Sequence, residues 1–436
     1  EHLVKHMKNN KIDALLVAQG AKDAFRQNKT LQDELIAAGI HIYMQSQREE
    51  WNPDHVGETE NDGVATPLKE VSIEDLLPRD EIKVDLKSVA DTLHGKCVMV
   101  TGSAGSIGSE IVKQICKFGP REMVLIDSAE TPQHDIRLMM AKRFPGIKAE
   151  TIVTTICSHS RMENIFKTYR PEYVFHAAAY KHVPMMENNP CESIMNNVYG
   201  TKVLADLSVK YGVKKFVMIS TDKAVNPTNV MGCSKRICEI YVQSLNKAII
   251  SGEVKGETQF VTTRFGNVLG SNGSVIPLFK KQIQAGGPVT VTDPNIIRFF
   301  MLIPEACELV LEAGVKGNGG EIFVFDMGKP VKIADLAQRM INLSGAKNVH
   351  IKYTGLRAGE KLYEEVLNDA ESTKPSFHDK IRIAQVREYD YEKVNNDIEN
   401  LVEISKQYDD MATVKKMKDI VPEFKSNNSV YEQLDK

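Results

Sequence analysis

The chain has 436 residues, of which 42% are apolar and 26% charged, a composition typical of a soluble globular protein with two or three domains. The net charge of −3 provides no broad field for a nucleic-acid or membrane-surface partner, so any phosphate recognition must be local. No apolar run approaches the roughly 18 residues of a membrane span, and no C-x-x-C pair occurs among the cysteines, so no zinc site, disulfide framework or other metal site is predicted and a reduced, cytoplasmic compartment is favoured.

Residues 1–75 predict part of a small α/β domain. The segments "KIDALLVAQG" and "GIHIYMQ" have the pattern of buried strands, and "DELIAAG" between them has the pattern of a helix. A polar, turn-rich stretch follows, and residues 76–95 predict a linker that leads into the next domain. Because the first residue is Glu1 rather than Met, we expect the chain to be a fragment of a longer protein.

From residue 96 onward, strands and helices alternate regularly. The candidate strands are "KCVMV", "EMVLID", "ETIVTTI", "YVFHAAA", "KFVMIST" and "QFVTTRF". With amphipathic helices between most of them, they predict an α/β fold with a doubly wound parallel sheet of the Rossmann type over residues 96–266. Residues 267–385 predict a smaller, mainly substrate-binding part, in which a strand near 321–327 is a candidate to return to the sheet. Residues 386–436 predict a charged, helical C-terminal tail.

The stretch "VMVTGSAGSIGSE" indicates a dinucleotide site between the first strand of this sheet and the helix that follows. Its glycines let the turn close and let the backbone approach a pyrophosphate at the helix N-terminus, although a plain tight turn is the alternative. The fourth strand ends in small residues that would let a nicotinamide ribose lie close. The cofactor-binding candidates in these segments are Gly102, Ser103, Gly105, Ser106, Ile107, Gly108, Ala177 and Ala178.

Asp127, which ends the second strand and is followed by Ser128, decides between the two nicotinamide cofactors. A carboxylate at this position accepts hydrogen bonds from the adenosine ribose diol and repels a 2′-phosphate. No arginine follows in "DSAE", so the sequence predicts NAD rather than NADP. The alternative is that Asp127 only caps the next helix.

Six segments, in order, resemble one family. They are "TGSAGSIGSE", "HAAAYKHVP", "NNVYGTKVL", "STDKAVNPTNVMGCSKR", "RFGNVLGSNGSVIPLF" and "LRAGEKLYEE". Over roughly residues 70–370 the chain is similar to the bacterial polysaccharide-biosynthesis UDP-sugar 4,6-dehydratases, which belong to the extended short-chain dehydrogenase/reductase family. It resembles their long form, in which N-terminal membrane helices precede an extra α/β domain. That resemblance implies a full-length protein on the cytoplasmic face of the bacterial inner membrane, whereas we expect this fragment to be soluble.

The resemblance also implies the reaction. The family's usual substrate is UDP-N-acetylglucosamine, and the product is UDP-2-acetamido-2,6-dideoxy-hexos-4-ulose. NAD oxidises C4, which makes the C5 hydrogen acidic, water leaves across C5–C6, and the hydride returns to C6. The enzyme is therefore expected to be a lyase of bacterial glycan biosynthesis.

The catalytic candidates lie in the segment "ISTDKAVNPTNVMGCSK". Short-chain dehydrogenases usually carry a tyrosine four residues before the lysine, but position 231 here is Met231, which carries no proton. Asp222 is the candidate acid for the C6 hydroxyl and Lys223 the candidate base at C5. Thr221 would hydrogen-bond the C4 hydroxyl, and Lys223 or a water reached through Thr221 would take its proton.

These roles need a protonated Asp222 and a neutral Lys223 near neutral pH, and burial favours the uncharged form of both. A direct ion pair would oppose both shifts, so the protonation of the pair is coupled. Lys235 would hold the nicotinamide ribose, and Met231, one helical turn before it, would be a spacer that keeps water out.

The substrate-binding candidates come from four segments. Lys181 and His182 follow the fourth strand, although a solvated surface pair is their alternative interpretation. Asn267 would donate its amide to the diphosphate. Glu360 would accept a hydrogen bond from the uridine ribose, and Val275 and Pro277 would lie beside the uracil. Arg298 and Arg357 are candidate phosphate clamps, because guanidinium groups bind phosphate bidentately.

Three other functions compete with the dehydratase. A UDP-sugar 4-epimerase also starts by oxidising C4 but normally uses the missing tyrosine. The sequence distinguishes poorly between a dehydratase that retains the configuration at C5 and one that inverts it, although Met231 favours retention. An NAD-sensing binding protein would not need a sugar-nucleotide site. In this fold the helices around 191–211 and 231–248 often form a four-helix bundle with a second subunit, so we expect at least a homodimer and no nucleic-acid partner.

Overall fold

The computed structural model describes residues 2–45, 68–70, 82, 84–346, 348–365, 367 and 372–435. Of the predicted linker at 76–95, residues 82 and 84–95 are among the described residues, and they include a helix over residues 86–93. The helices are α1 (His2–Asn9), α2 (Lys22–Gln27), α3 (Lys29–Ala37), α4 (Leu86–Leu93), α5 (Ser106–Cys116), α6 (Glu130–Arg143), α7 (His159–Tyr169), α8 (Val183–Glu187), α9 (Pro190–Ser193), α10 (Gly200–Lys210), α11 (Val230–Ser251), α12 (Val275–Gln284), α13 (Ile303–Lys316), α14 (Ile333–Leu343), α15 (Tyr391–Ser405) and α16 (Asp410–Ile420).

The strands are β1 (Ala14–Val17), β2 (His41–Gln45), β3 (Leu68–Glu70), β4 (Cys97–Thr101), β5 (Glu122–Asp127), β6 (Lys148–Val153), β7 (Tyr173–His176), β8 (Lys215–Thr221), β9 (Gln259–Phe265), β10 (Asn267–Leu269), β11 (Val289–Val291), β12 (Ile297–Arg298), β13 (Phe300–Leu302), β14 (Ile322–Phe325), β15 (Val331–Lys332), β16 (Ile351–Tyr353), β17 (Ser372–Pro375) and β18 (Ile381–Gln385).

The described residues form a nine-stranded main sheet with the order β17-β18-β14-β9-β8-β7-β4-β5-β6. The seven strands from β14 to β6 are parallel. Each of the central strands β4 and β7 is buried along its whole length, as expected for a sheet covered on both faces. This is the predicted doubly wound Rossmann sheet. Its strand order reverses between β4 and β7, where ligands bind in such sheets.

The edge of the sheet holds two strands that the sequence analysis did not identify. β18 pairs antiparallel with β14, and β17 pairs antiparallel with β18. β17 contains Lys374 and Pro375, which are typical of an edge strand and hide its β pattern. β14 itself pairs parallel with β9, with Ile322 opposite Thr262, so the candidate strand near 321–327 does join the sheet.

The chain divides by its internal contacts into two compact units. The smaller unit contains residues 1–82, 273–294 and 332–354, and the larger unit contains 83–272, 295–331 and 355–436. The range 267–385 therefore contributes to both. In the smaller unit β1, β2 and β3 form a three-stranded sheet, and α14 packs against α3. β1 is less buried than its apolar sequence predicted, because Leu16 is 54% exposed.

In the larger unit the C-terminal tail forms helices α15 and α16, which pack on the face of the fold that was expected to meet a second subunit. Ile398 and Leu401 of α15 share one apolar core with Ile237 and Ile240 of α11. Arg236 of α11 also pairs with Glu423, at 3.3 Å. The chain's own helices α15 and α16 thus cover part of the surface of α11, one of the two helices expected to pair with a second subunit. No helix in the described ranges is long and apolar enough to cross a bilayer.

Candidate active site

The glycine turn between β4 and α5 touches the end of β7. Gly102 has a φ of 71°, and a Cβ there would lie 2.7 Å from the backbone of Ala177 and Ala178. A Cβ on Gly108 would lie 1.9 Å from the Gly102 carbonyl oxygen. Both positions therefore need glycine for close packing, and the turn presents the N-terminus of α5 at the switch point of the sheet.

A cavity of about 250 Å³ lies beside this turn. It is lined by three groups from the sequence prediction, namely the glycines 102 and 105, Asp127 with Ser128, and the two alanines 177 and 178. Pro132, Ile156, Tyr180 and Asn196 also line it and were not predicted. The cavity is the part of the larger unit that fits the adenosine half of a dinucleotide.

Backbone amides fix the carboxylate of Asp127 at this cavity. Its Oδ2 accepts from the Ala104 amide at 3.0 Å, and its Oδ1 accepts from the Ala129 amide at 2.9 Å. Asp127 does not cap α6, whose N-cap is Ala129. Its carboxylate instead accepts from the amide of that residue and also lines the cavity. Each oxygen retains a lone pair for a ribose hydroxyl.

The serines and Ile107 of the turn have structural contacts. The buried Ser103 hydroxyl donates to Gln133 at 2.8 Å, and the Ser106 hydroxyl accepts from the Asn272 amide at 3.0 Å. The carbonyl of Ile107 accepts from the Cys307 thiol at 3.7 Å. These contacts hold the turn in place and leave phosphate recognition to its backbone.

A π-helical segment, Ile194–Tyr199, carries a residue that the sequence analysis did not single out. The Asn197 side chain accepts from the Tyr180 amide at 2.8 Å and donates to the Tyr180 carbonyl and to the Ser234 hydroxyl, each at 3.0 Å. It therefore ties the loop after β7 to the helix that carries Lys235. The motif "NNVYGTKVL" pointed to this region, but its backbone bulge, a frequent feature of functional sites, has no sequence signature.

The catalytic candidates Thr221, Asp222 and Lys223 lie where β8 ends in a short 3₁₀ turn. The side chain of Asp222 is 2% exposed. Its Oδ1 accepts from the Thr221 hydroxyl and from Lys223 Nζ, both at 2.9 Å. Its buried Oδ2 has no hydrogen-bond partner among the described residues. Gly266 leaves the space for this oxygen, because a Cβ there would lie 2.8 Å from it.

The amine of Lys223 is surrounded by acceptors. Besides Asp222, Nζ contacts Asn267 Oδ1 at 3.2 Å and Glu364 Oε1 at 3.8 Å. Desolvation lowers the pKa of Lys223, but the charges of Asp222 and Glu364 outweigh it and the pKa is raised. The direct ion pair thus opposes the effect of burial, the opposition that the sequence analysis described for such a pair. Asn267, expected to bind the diphosphate, here holds the lysine through its carbonyl oxygen.

Helix α11 begins beside this turn and brings Met231 and Lys235 to the site. Asn229 caps it by accepting from the Gly232 amide at 2.7 Å. Lys235 is buried, and desolvation lowers its pKa against the smaller effects of Cys238 and Glu239. Met231 lies in the apolar core at 4% exposure, which fits a spacer.

Lys181 and Arg357 bring positive charge to the surroundings of His182 in the larger unit. Desolvation, followed by the charges of Lys181 and Arg357, lowers the pKa of His182. Desolvation also lowers the pKa of Lys181. The Arg357 side chain, 59% exposed, contacts Glu360 Oε1 at 3.1 Å, so the carboxylate expected to accept from a ribose already accepts from Arg357.

Arg298 does not fit the predicted phosphate clamp. Its Nη1 donates to the carbonyls of Ile297 and Leu362, at 2.8 and 3.1 Å, and its Nη2 donates to the carbonyl of Lys361 at 2.7 Å. Buried backbone carbonyls need donors, and Arg298 supplies them to the segment that carries Glu360. Val275 and Pro277, the uracil candidates, belong to the smaller unit, at the start of α12.

The C-terminal tail fixes the segment 355–365 in a way that sequence analysis missed. The Gly359 carbonyl accepts from Thr228 and Asn229 of the catalytic region, at 2.9 and 3.0 Å. The Gly359 amide donates to the Asn427 carbonyl at 2.6 Å, and the Asn427 side chain donates to the Glu360 carbonyl at 2.8 Å. The segment is thus held between the start of α11 and the tail.

Comparisons with known proteins show the family of this chain. A family model described as polysaccharide biosynthesis protein matches residues 98–386. The capsular polysaccharide biosynthesis protein CapD of Staphylococcus aureus is 48% identical over 77% of this chain and 55% of its own length. The chain therefore spans about half of that relative. A UDP-glucose 4-epimerase of Rickettsia rickettsii is 35% identical over 64% of this chain and 80% of its own length.

Solved structures support the fold. Pen from Bacillus thuringiensis superimposes with a TM-score of 0.62 at 30% identity, covering 69% of this chain and 90% of its own. Solved nucleotide-sugar epimerases and dehydratases with NAD bound, at 21–22% identity, share the fold. The chain therefore belongs to the polysaccharide biosynthesis protein family and has the Rossmann-type fold of the extended short-chain dehydrogenases/reductases.

Proposed function

We propose that the protein is an NAD-dependent UDP-N-acetylglucosamine 4,6-dehydratase that retains the configuration at C5. The observation that carries the proposal is the buried Asp222–Lys223 pair at the end of β8, with Met231 in place of a tyrosine. A proton donor and acceptor side by side are what an elimination of water needs. An epimerase has no use for them.

The cofactor site fits NAD. The adenosine would lie in the cavity, with its ribose at the carboxylate of Asp127. The pyrophosphate would lie at the glycine turn, where Gly102 packs closely on the end of β7. Lys235 would hold the nicotinamide ribose, and no hydrogen bond from its amine to another described residue competes with that contact. When bound, NAD supplies the acceptor for the C4 hydride and later the donor of a hydride to C6.

The protein's own residues would carry the protons. With one proton shared between them, Asp222 and Lys223 can exist as an ion pair or as carboxylic acid and amine. In the second form the Lys223 amine takes the C5 proton and Asp222 gives its proton to the departing C6 hydroxyl, which leaves as water. The pair is then the ion pair again, and the ammonium can return a proton to C5.

Three residues of the larger unit would bind the diphosphate of the UDP-sugar. Lys181 and Arg357 would supply positive charge, and the imidazole of His182 beside them would donate a hydrogen bond. Glu360 would remain the ribose acceptor only if Arg357 moves to a phosphate. We keep Val275 and Pro277 as uracil candidates from the resemblance alone.

Incubation with UDP-N-acetylglucosamine tests the function. We expect a product lighter by one water, with no NAD consumed. A substrate of unchanged mass but altered configuration at C4 would instead identify an epimerase, a function that the name of the Rickettsia relative supports. Inversion at C5, read from the proton couplings of the product, would identify the inverting dehydratase. Tight NAD binding with no conversion would identify a sensor.

We also propose, from the resemblance to the long dehydratases, that the full-length protein is anchored in the bacterial inner membrane with this part in the cytoplasm. Membrane fractionation of the full-length protein tests that. A homodimer or larger assembly stays part of the proposal. It would have to use a surface other than the one covered by α15 and α16. Light scattering on the purified protein measures its mass.

A further inference from the structure

A second buried carboxylate, Glu364, reaches the amine of Lys223 from the segment 355–365. Its Oε1 lies 3.8 Å from Lys223 Nζ and 3.6 Å from Arg298 Nη2. The side chain is 5% exposed, and within the described part of the chain these two cations are its nearest charged partners. Buried carboxylates usually accept shorter hydrogen bonds. Glu364 is thus held between two cations without a close bond to either.

Four groups determine the charge state of Lys223. Asp222 and Glu364 are negative, Arg298 is positive, and Asn267 is a neutral acceptor. Desolvation, the largest effect, lowers the pKa of Lys223. Asp222 and Glu364 raise it, and Arg298 lowers it again. Asp222 is the proton donor of the proposed reaction, so its charge changes during turnover. Glu364 is the carboxylate whose charge can stay constant, because Arg298 lies beside it.

We propose that Glu364 is a positioning residue that acts through Lys223, stabilising the ammonium that forms when the Lys223 amine takes a proton from the substrate. This inference rests on the proposed function, in which Lys223 is the base at C5. In that step the C5–H bond breaks, a bond from Nζ to the proton forms, and the electron pair stays on the 4-keto sugar. These two electrons then form the C5–C6 double bond, and the C6 hydroxyl leaves as water with the proton of Asp222.

The physical reason is base strength. A C5 hydrogen next to a ketone is a weak acid, so a stronger base lowers the barrier to its removal. A negative charge at 3.8 Å favours the protonated amine over the neutral one. Glu364 comes from a segment that is distant from Lys223 along the chain, and its carboxylate stands beside the amine.

The first test needs no substrate. The Nζ of Lys223 is titrated by ¹⁵N NMR in the NAD-loaded protein, and its signal is assigned with Lys223→Arg. In Glu364→Gln, which keeps the side-chain shape, we expect the pKa of Lys223 to fall by about one unit, the lower end of the effect of an adjacent opposite charge. The control is Glu365→Gln, because Glu365 is 47% exposed and pairs with Lys361 instead. An unchanged Lys223 titration in Glu364→Gln overturns the inference.

The second test uses turnover. In Glu364→Gln we expect kcat on the plateau above the pKa of Lys223, where the amine is neutral in both proteins, to fall about three- to tenfold. The limb of the pH profile that reports Lys223 should move to lower pH, and KM should change little. Glu365→Gln should match the wild type. If Glu364→Gln does not fold, Glu364→Asp keeps the charge one methylene further back and should lower the Lys223 pKa by less. If the Lys223 titration shifts in Glu364→Gln but the wild type does not dehydrate the sugar, the interaction between Glu364 and Lys223 is upheld and the proposed function is refuted. Failure of the inference and failure of the proposed function are therefore distinguishable.

Discussion

At the residue scale, the Asp222–Lys223 pair carries the proposed chemistry. Lys223→Ala removes the C5 base and Asp222→Asn removes the C6 acid, so each should slow dehydration by about 10²–10⁴-fold, the usual contribution of a positioned acid or base. In deuterated water the wild-type product should carry deuterium at C5, and Lys223→Ala should lose that exchange. Lys406→Ala, at an exposed ion pair, is the control. Near-normal turnover in Lys223→Ala would contradict the assignment.

A substitution at Gly266 tests whether the unpaired Oδ2 of Asp222 takes part in catalysis. In Gly266→Ala the new Cβ would lie 2.8 Å from Asp222 Oδ2, while Oδ1 is held by Thr221 and Lys223. The carboxyl group must therefore turn. We expect kcat to fall at least about tenfold, because a small misplacement of an acid is costly, with NAD binding retained. Gly146→Ala, where nothing lies within 4 Å, should be neutral. Equal kcat in the two variants would show that this oxygen has no catalytic role.

A substitution at Asp127 tests whether the protein prefers NAD to NADP. Its carboxylate is held by the amides of Ala104 and Ala129, and it would meet the 2′-phosphate of NADP as a like charge. We expect NAD to bind at least about tenfold more tightly than NADP, by titration of cofactor-free protein. Asp127→Asn should reduce the difference in affinity between NAD and NADP. Tighter binding of NADP than of NAD by the wild type would contradict the assignment of NAD as the cofactor.

At the element scale, the start of α11 joins the catalytic turn to the segment 355–365. Asn229 caps the helix at Gly232 and also donates to the Gly359 carbonyl. Asn229→Ala should lower the free energy of unfolding by about 1–2 kcal/mol, the usual cost of a lost cap. Asn229→Ser keeps an oxygen for the cap and should cost less. Urea denaturation measures both, and an equal loss in the two variants would mean that the cap contributes nothing.

At the scale of the whole molecule, the C-terminal tail completes the core. Ile398 and Leu401 are fully buried against α11. A chain ending at Gln385 would expose that apolar face, and exposed patches of this kind promote association. We expect the truncated protein to aggregate or to self-associate more than the full chain, as measured by light scattering. A truncated chain that remains as monodisperse and as stable as the full one would show that the tail is dispensable.

The sequence by itself determined the central architecture. The strands at residues 97–101, 122–127 and 215–221 were located because buried parallel strands are continuous apolar runs. The glycine turn, Asp127 and the 221–223 turn were located because each follows a strand end in chain order. The candidate active site could be predicted to that extent from local pattern alone.

The tertiary structure alone decided which distant groups meet there. Glu364 and Arg298 lie far from residue 223 along the chain, and the sequence around a single charged residue has no pattern that says whether that residue is exposed. Only the fold shows that Arg298 is committed to backbone carbonyls and that Glu364 stands beside Lys223. The packing of α15 on α11 is likewise a contact between remote apolar faces. Chain order does not determine such contacts, because they depend on which surfaces the folded chain brings together.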